Sequence, residues 1–353
     1  MRRQVARSAA RADTRFLVKE SQALRTVVAA NGLADMPLSG GFIGHKKVQS
    51  VTTGDLDQGK APLLIKHENG RAAEIVDRHG CLVVYRAWQG PATTEVNRLL
   101  MAAAEYLDNE GIKPTYSSSK RGTFAQYYFT LHRDNQPRPR MSKYFCDHTD
   151  VAHELGRQLA PVVRLVSRKH IQALHHASFL TGAHADVLRR IFPQLYQYYA
   201  STLDFALEGD PTLESLFYPY ASFALNVGEV VCSRHLDCTN LGPGLCCIIP
   251  FGKFDASKDC RIGVAELGCE VEVGPGIPFW LPSAAFTHYN TPLVTEGAVR
   301  GSAVFWTGGT MFQHRELGGR MVSELSPDEL TEYRSSRTSR IVEGIARFPR
   351  RPV

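Results

Sequence analysis

Between residues 220 and 307 the apolar residues come in short runs broken by Gly and Pro: ASFALNVGEVV, GLCCIIPFG, CEVEVGPGIPFWLP, AAFTHY and AVRGSAVFW. Runs of this length at roughly ten-residue spacing predict short strands, and a series of them predicts a sandwich or barrel such as a jelly roll. CEVEV alternates strictly, the period of a strand with one buried face. Gly274-Pro275-Gly276 after it predicts a turn.

The rest of the chain reads differently, so the fold class is α+β. Residues 63–66, 81–88 and 124–131 predict strands. TTEVNRLLMAAAEYLDN (93–109) predicts a helix opened by Thr and closed by Gly111. Residues 150–176 are helix-rich, with a break or kink at Pro161. Residues 185–207 carry Leu188, Ile191, Phe192, Leu195 and Tyr199, the spacing of one helix with a single core-facing stripe. Ser326-Pro327-Asp328-Glu329 is a helix start, with Ser as N-cap, Pro at the first position and Glu completing a capping box. One final helix to about residue 348 is expected after it. The organisation is therefore read as a mixed region over 1–210, a β-rich core over 211–320, and a C-terminal helix with a basic tail over 321–353. No internal repeat or low-complexity tract interrupts it.

Composition narrows the class. At 43% hydrophobic and 22% charged residues, the 353-residue chain has the content of a globular protein. No run approaches the roughly 18 apolar residues a membrane span needs, so no membrane partner is expected. The amino terminus lacks the apolar core of a secretory signal and is basic instead, with Arg2, Arg3, Arg7, Arg11 and Arg15 against Asp13. A mitochondrial presequence, a nucleic-acid arm and a solvated helix face all fit it. The eight cysteines form no Cys-x-x-Cys and read as reduced, intracellular and structural, which argues against a zinc module.

Charge is uneven. Residues 112–145 hold seven cations (Lys113, Lys120, Arg121, Arg133, Arg138, Arg140 and Lys143) and one acid, Asp134, which matches the whole chain's excess of +6. Tyr116, Phe124, Tyr127, Tyr128, Phe129 and Tyr144 are interleaved with them. Cations for phosphates and aromatic faces for bases are what a nucleic-acid surface requires. A basic loop beside an ordinary strand has the same composition.

His-x-Asp, the spacing at which an imidazole and a carboxylate on one strand face can grip one metal, occurs three times: His132/Asp134, His184/Asp186 and His235/Asp237. The first opens into the Pro/Arg-rich loop NQPRPR. The second precedes a strong helix pattern, where Asp186 is explained as a helix-start acid. His235 and Asp237 alone follow a strand inside the β-rich half. His288, in FWLPSAAFTHYNTP, is the candidate third ligand. Two histidines and a carboxylate on one face of an iron leave three positions open, the arrangement of non-heme Fe(II) oxygenases. Twelve residues on, AVRGSAVFW puts Arg300 in an apolar strand, where a guanidinium expects an anion. Arg300 and Ser302 share a face, so the pair can hold one carboxylate of a dicarboxylic co-substrate.

HLDCTN (235–240), LPSAAFTHYNTP (281–292) and RGSAVFW (300–306) resemble the catalytic core of the TET/JBP superfamily, Fe(II)/2-oxoglutarate-dependent DNA dioxygenases. The likeness is nearest the fungal-type branch and covers roughly residues 221–313; the first 200 residues show none. It implies a double-stranded β-helix (jelly-roll) core flanked by helices. It also implies Fe(II) on His235, Asp237 and His288, with 2-oxoglutarate on Arg300 and Ser302 and O2 as oxidant. Asn240 matches the position whose amide contacts the target base. Trp306 aligns with the aromatic that stacks on it, and period 2 from Arg300 also turns Trp306 toward the pocket; Tyr289 is a second platform. Gly308 stands where animal relatives place a second base-contacting histidine, and their Cys-rich zinc region is missing.

The expected activity is oxidation of the 5-methylcytosine methyl to hydroxymethyl, a step in DNA demethylation. The partner is methylated duplex DNA with the target base flipped out, the location nuclear and the protein a monomer. Two readings stay beside it: the same chemistry on N6-methyladenine, thymine, RNA or a protein side chain, and a nucleic-acid-binding protein that has lost catalysis.

Overall fold

A computed structural model of the chain describes residues 16, 18–28, 31–39, 41–44, 61–116, 122–167 and 186–353. The arginine-rich start, Lys120, Arg121 and His184 lie outside the described residues. In chain order the early strands are β1 (Leu24–Val27), β2 (Leu38–Ser39), β3 (Ile43–Gly44), β4 (Leu63–Ile65), β5 (Ala73–Val76) and β6 (Leu82–Arg86). Then come β7 (Thr115–Tyr116), β8 (Ala125–His132), β9 (Arg140–Met141), β10 (Ser222–Val227) and β11 (Cys246–Lys253). The last are β12 (Ile262–Val264), β13 (Cys269–Val271), β14 (Phe279–Leu281), β15 (His288–Asn290) and β16 (Val299–Trp306).

The architecture is mixed α+β around a large, mostly antiparallel sheet in the order β1-β5-β6-β14-β11-β16-β10-β8-β7, with β9 on β8. A smaller sheet runs β15-β12-β13-β4. The sheets draw strands from both halves of the chain: β8 pairs with β10, β6 with β14, and β4 with β13.

Register across β8, β10 and β16 decides what faces what. Asn226 lies opposite both Ser302 and Gln126, Ala224 opposite Val304 and Tyr128, and Ser222 opposite Trp306 and Thr130. Because side chains alternate across a strand, these three rows share one face. Phe223, Leu225, Ala303 and Phe305 turn to the other and are buried, with Phe223 stacked on Phe217 at 4.1 Å. Fully burying side chains of this size contributes about 1.5–3 kcal/mol each.

The helices used below are α1 (Pro91–Asn109), α2 (Lys143–Asp147), α3 (Thr149–Gln158), α4 (Ala160–Ser167), α5 (Val187–Ile191), α6 (Pro193–Gly209), α7 (Gly309–Glu316), α8 (Pro327–Ser335) and α9 (Arg337–Ala346). α1 starts two residues before the expected Thr93, with Pro91 at a first-turn position where its missing N–H costs nothing. Its buried Val96, Leu100, Ala103 and Leu107 mark the side that packs on β11 and on α3 and α4. The Gly274-Pro275-Gly276 turn sits against the same helix. Gly276 has φ +75°, and a Cβ there would lie 1.9 Å from the Thr93 carbonyl.

Three helical expectations need correction. The break expected at Pro161 falls at Leu159, between α3 and α4, and Pro161 sits in the first turn of α4. The single helix over 185–207 is two, α5 and α6, because Pro193 cannot continue α5 and instead opens α6. Its predicted stripe is buried nonetheless. At the C-terminus the Ser326/Glu329 capping box forms as expected, but α8 ends at Ser335 and α9 follows, so the final helix is also two. Asp186 does occupy the N-cap of α5. Its carboxylate, however, pairs with Arg189 rather than with backbone N–H groups. Among the described residues no helix is long and apolar enough to cross a membrane.

Candidate metal centre and pocket

His235 and His288 are fifty-odd residues apart in sequence and face each other as an antiparallel bridge, each backbone N–H donating to the other's carbonyl at 3.0 Å. The bridge adds His235 to the outer edge of β15 and sets the two imidazoles side by side, ring centroids 4.2 Å apart. Asp237, two residues on, is fixed by its N–H donating to the Ser283 carbonyl at 2.9 Å. Its carboxylate then sits 3.9 Å from His235 Nε2 and 3.7 Å from His288 Nε2. Ligand atoms of the three residues all lie within 4.8 Å of one another, the one such cluster among the described residues.

The tautomers are fixed by partners that can only accept. His235 Nδ1 lies 2.7 Å from the Ser233 carbonyl and His288 Nδ1 lies 3.2 Å from the Phe286 carbonyl. Each Nδ1 therefore carries the proton and each Nε2 presents its lone pair toward Asp237, the arrangement of histidines oriented for a metal. This donor set fits a divalent transition metal with open positions.

The cluster opens into a cavity of about 450 Å³ between the two sheets. Arg300 lies at its end, 1% exposed. One guanidinium nitrogen, Nη1, donates to the Val230 carbonyl at 2.6 Å, while Nε has no partner. No carboxylate pairs with Arg300 among the described residues, and burial pulls its pKa below the ordinary guanidinium value. Such an arrangement is costly unless an anion arrives. Ser302, two residues on, accepts from Asn226 Nδ2 at 3.0 Å, and Asn226 Oδ1 accepts from Gln126 Nε2 at 3.0 Å. With its oxygen already accepting, the Ser302 hydroxyl is free to direct its own proton into the cavity. Asn226 and Gln126 were missed in the sequence; the signal was there, an amide at an alternate position of an otherwise apolar run.

The candidate base-contacting residues line the same cavity. Asn240 is buried and donates from Nδ2 to Ser283 Oγ at 3.0 Å. Trp306, on β16 with Arg300, lines the same cavity on the face that period 2 gives it. Tyr289 lines it too, but its hydroxyl donates to Glu270 at 3.2 Å and the Arg234 guanidinium covers its ring at 5.0 Å. Gly263 lies beneath the ring, and a Cβ there would meet it at 2.1 Å, so the ring would have to move.

Outside the cluster, His132 Nε2 lies 3.4 Å from the Asp134 carboxylate, and among the described residues no third ligand joins them. The basic aromatic segment divides. Tyr127, Phe129 and Arg133 are buried, and Arg133 donates from Nε to the Gln136 carbonyl at 2.9 Å and from Nη1 to the Gln313 side chain at 3.4 Å. Lys113, Arg138, Arg140 and Lys143 are exposed.

No family model and no curated protein matches the chain. Solved structures do resemble it at 10–12% identity. NgTET1 in complex with 5mC DNA has a TM-score of 0.44, over 87% of this chain and 92% of that one, at 12% identity. A 2OG-Fe(II) oxygenase-family oxidoreductase from Burkholderia pseudomallei has a TM-score of 0.33 over 71% and 97%, at 12% identity. A Pseudomonas putida prolyl-4-hydroxylase has 0.27 over 62% and 88%, at 10% identity. Likeness at this level leaves function to the chemistry of the site.

Proposed function

We propose that the protein is an Fe(II)- and 2-oxoglutarate-dependent dioxygenase that oxidises the methyl group of 5-methylcytosine in DNA to hydroxymethyl. The observation that carries the oxygenase reading is a buried guanidinium without a carboxylate, in the same cavity as two Nε2 lone pairs and a carboxylate. The run β10-β16-β11-β14 within the large sheet, and the smaller sheet β15-β12-β13-β4 extended at β15 by the single His235–His288 bridge, support the reading of a double-stranded β-helix.

Each residue then has a task. His235, Asp237 and His288 would hold the metal, which when bound would supply O2 activation driven by oxidative decarboxylation of 2-oxoglutarate. Arg300 and Ser302 take the distal carboxylate of the co-substrate, the first by charge and a planar pair of donors, the second through the hydroxyl proton that Asn226 leaves free. A methyl inside a duplex cannot reach this enclosed centre, so the base enters flipped. Asn240 reads its polar edge and Trp306 stacks on its face. Tyr289, already covered on one side, is the weaker platform.

The test is an oligonucleotide assay. Iron-loaded protein is incubated with methylated duplex, 2-oxoglutarate and ascorbate, and the nucleosides are analysed by mass spectrometry. Hydroxymethylcytosine is expected from the wild type. Trp306→Ala should lose about tenfold or more of DNA oxidation, the size of a lost stacking contact of about 1–3 kcal/mol, and Asn240→Ala about fivefold or more, the size of a lost hydrogen bond of about 1 kcal/mol, both keeping 2-oxoglutarate affinity. Oxidation of N6-methyladenine, thymine or RNA without hydroxymethylcytosine would move the substrate and leave the centre.

Asn226 offers a separate check on the co-substrate end. Asn226→Ala should raise the KM for 2-oxoglutarate about five- to tenfold with kcat within twofold, because about 1–1.5 kcal/mol of oriented hydrogen bonding is lost. A change in kcat alone would put Asn226 elsewhere in the reaction.

A further inference from the structure

The cavity-facing side of β8, β10 and β16 continues past the metal centre. Its first row, Gln126-Asn226-Ser302, belongs to the co-substrate end, and its third, Thr130-Ser222-Trp306, leads out. Beyond Trp306 a second cavity of about 830 Å³ opens, sharing Tyr128, Thr239 and Trp306 with the first. That volume is within the 300–1,000 Å³ or so of ordinary ligand sites. Whatever is held over the metal and extends in this direction must lie along this floor.

The chemistry of the second cavity is anion-seeking at one point. His132, its pKa lowered by burial, lies 3.4 Å from Asp134 and adds no fixed cation, and Lys143 is held by both oxygens of Asp147 at 2.7 Å. Arg140, exposed at the end of the NQPRPR loop and lining the cavity, has no carboxylate or hydrogen-bond partner among the described residues. Hydroxyl and amide donors, Thr310 and Asn135, line the same space. On the shared wall Tyr128 is stacked on Tyr144, ring centroids 5.4 Å apart and 11° from parallel. A flat aromatic pair beside an uncommitted guanidinium and neutral donors matches a nucleotide strand, whose bases stack and whose phosphates accept.

We propose that this second cavity seats the strand next to the flipped base, with Arg140 contacting a flanking phosphate and the Tyr128–Tyr144 pair as the neighbouring stacking surface. The inference rests on the nucleic-acid reading above and extends it to residues outside the resemblance. Arg140 touches neither metal nor co-substrate, so it is a binding residue and not a catalytic one.

The experiment measures binding of a fluorescent methylated duplex to protein loaded with Fe(II) and 2-oxoglutarate under argon, across a salt series. Arg140→Ala is expected to weaken binding about three- to tenfold and to lower the slope of log K against log salt by about one, the signature of one lost phosphate contact. Arg140→Lys should recover most of the slope. Affinity for 2-oxoglutarate should be unchanged in both. Wild-type affinity and slope in Arg140→Ala would overturn the proposal. Oxidation assayed in air on the same samples separates the two ideas: a wild type that binds duplex with the Arg140-dependent slope yet forms no oxidised base sinks the functional reading and leaves the groove.

Discussion

Asp237→Ala is expected to lose the metal of the proposed centre and, with it, all 2-oxoglutarate turnover, while keeping the fold. The carboxylate is the single anionic donor of the cluster, at 3.7 and 3.9 Å from the two Nε2 atoms. Without it two neutral imidazoles remain, and a divalent cation gains no charge neutralisation. Loss of a group that merely orients a ligand already costs about 10–100-fold in metal affinity, so loss of a ligand should exceed that. The fold is spared because the backbone does the structural work here: the Asp237 N–H to Ser283, and the reciprocal His235–His288 bonds, do not involve the side chain. Binding is read directly with Co(II) or Mn(II) under argon, and folding by thermal melting of the metal-free protein. Wild-type metal affinity in Asp237→Ala would place the metal elsewhere or nowhere.

The parts of this site legible in the sequence were those governed by the two-residue period of a strand. Arg300/Ser302 on β16 is such a pair; His235/Asp237 has the same spacing and lines the same cavity, but outside any strand, with His235 held by a single bridge and Asp237 in the loop after it. Trp306 followed from the same period. Period says nothing about which strands meet. The partner of His235 is set by a lone bridge to His288, and the arrival of β8 beside β10, which brings Gln126 to Asn226, is a tertiary event with no local signature. Composition misled where charge was used internally. Arg133 counted toward a basic surface but is spent holding the Gln136 carbonyl and α7. The split of 185–207 is legible in the sequence: the apolar stripe runs unbroken through Phe192, yet Pro193 lacks the N–H a continuous helix needs.

Arg300→Met should have opposite effects on the empty and the liganded protein. In the wild type the guanidinium is 1% exposed, donates one hydrogen bond to Val230, and leaves Nε unpartnered. Burying a cation in this way costs several kcal/mol, and replacing buried charge by an apolar side chain of similar volume is often stabilising by about 1–4 kcal/mol. Met has the length and flexibility to fill the space. The unliganded variant should therefore melt a few degrees higher than wild type, even after losing the bond to Val230. With 2-oxoglutarate and Mn(II) present the order reverses. Wild type gains about 2.7 kcal/mol at a ligand concentration a hundredfold above Kd, and the variant gains little, because truncating one side of a buried hydrogen-bonded charge pair costs about 2–5 kcal/mol. Turnover should show the same loss as a rise in the KM for 2-oxoglutarate on the order of 10²-fold. The crossing of the two melting series is the decisive reading, since neither a purely structural arginine nor a bystander produces it. If the unliganded variant is strongly destabilised and 2-oxoglutarate still protects it as well as wild type, the guanidinium serves the fold, and the co-substrate carboxylate binds somewhere else.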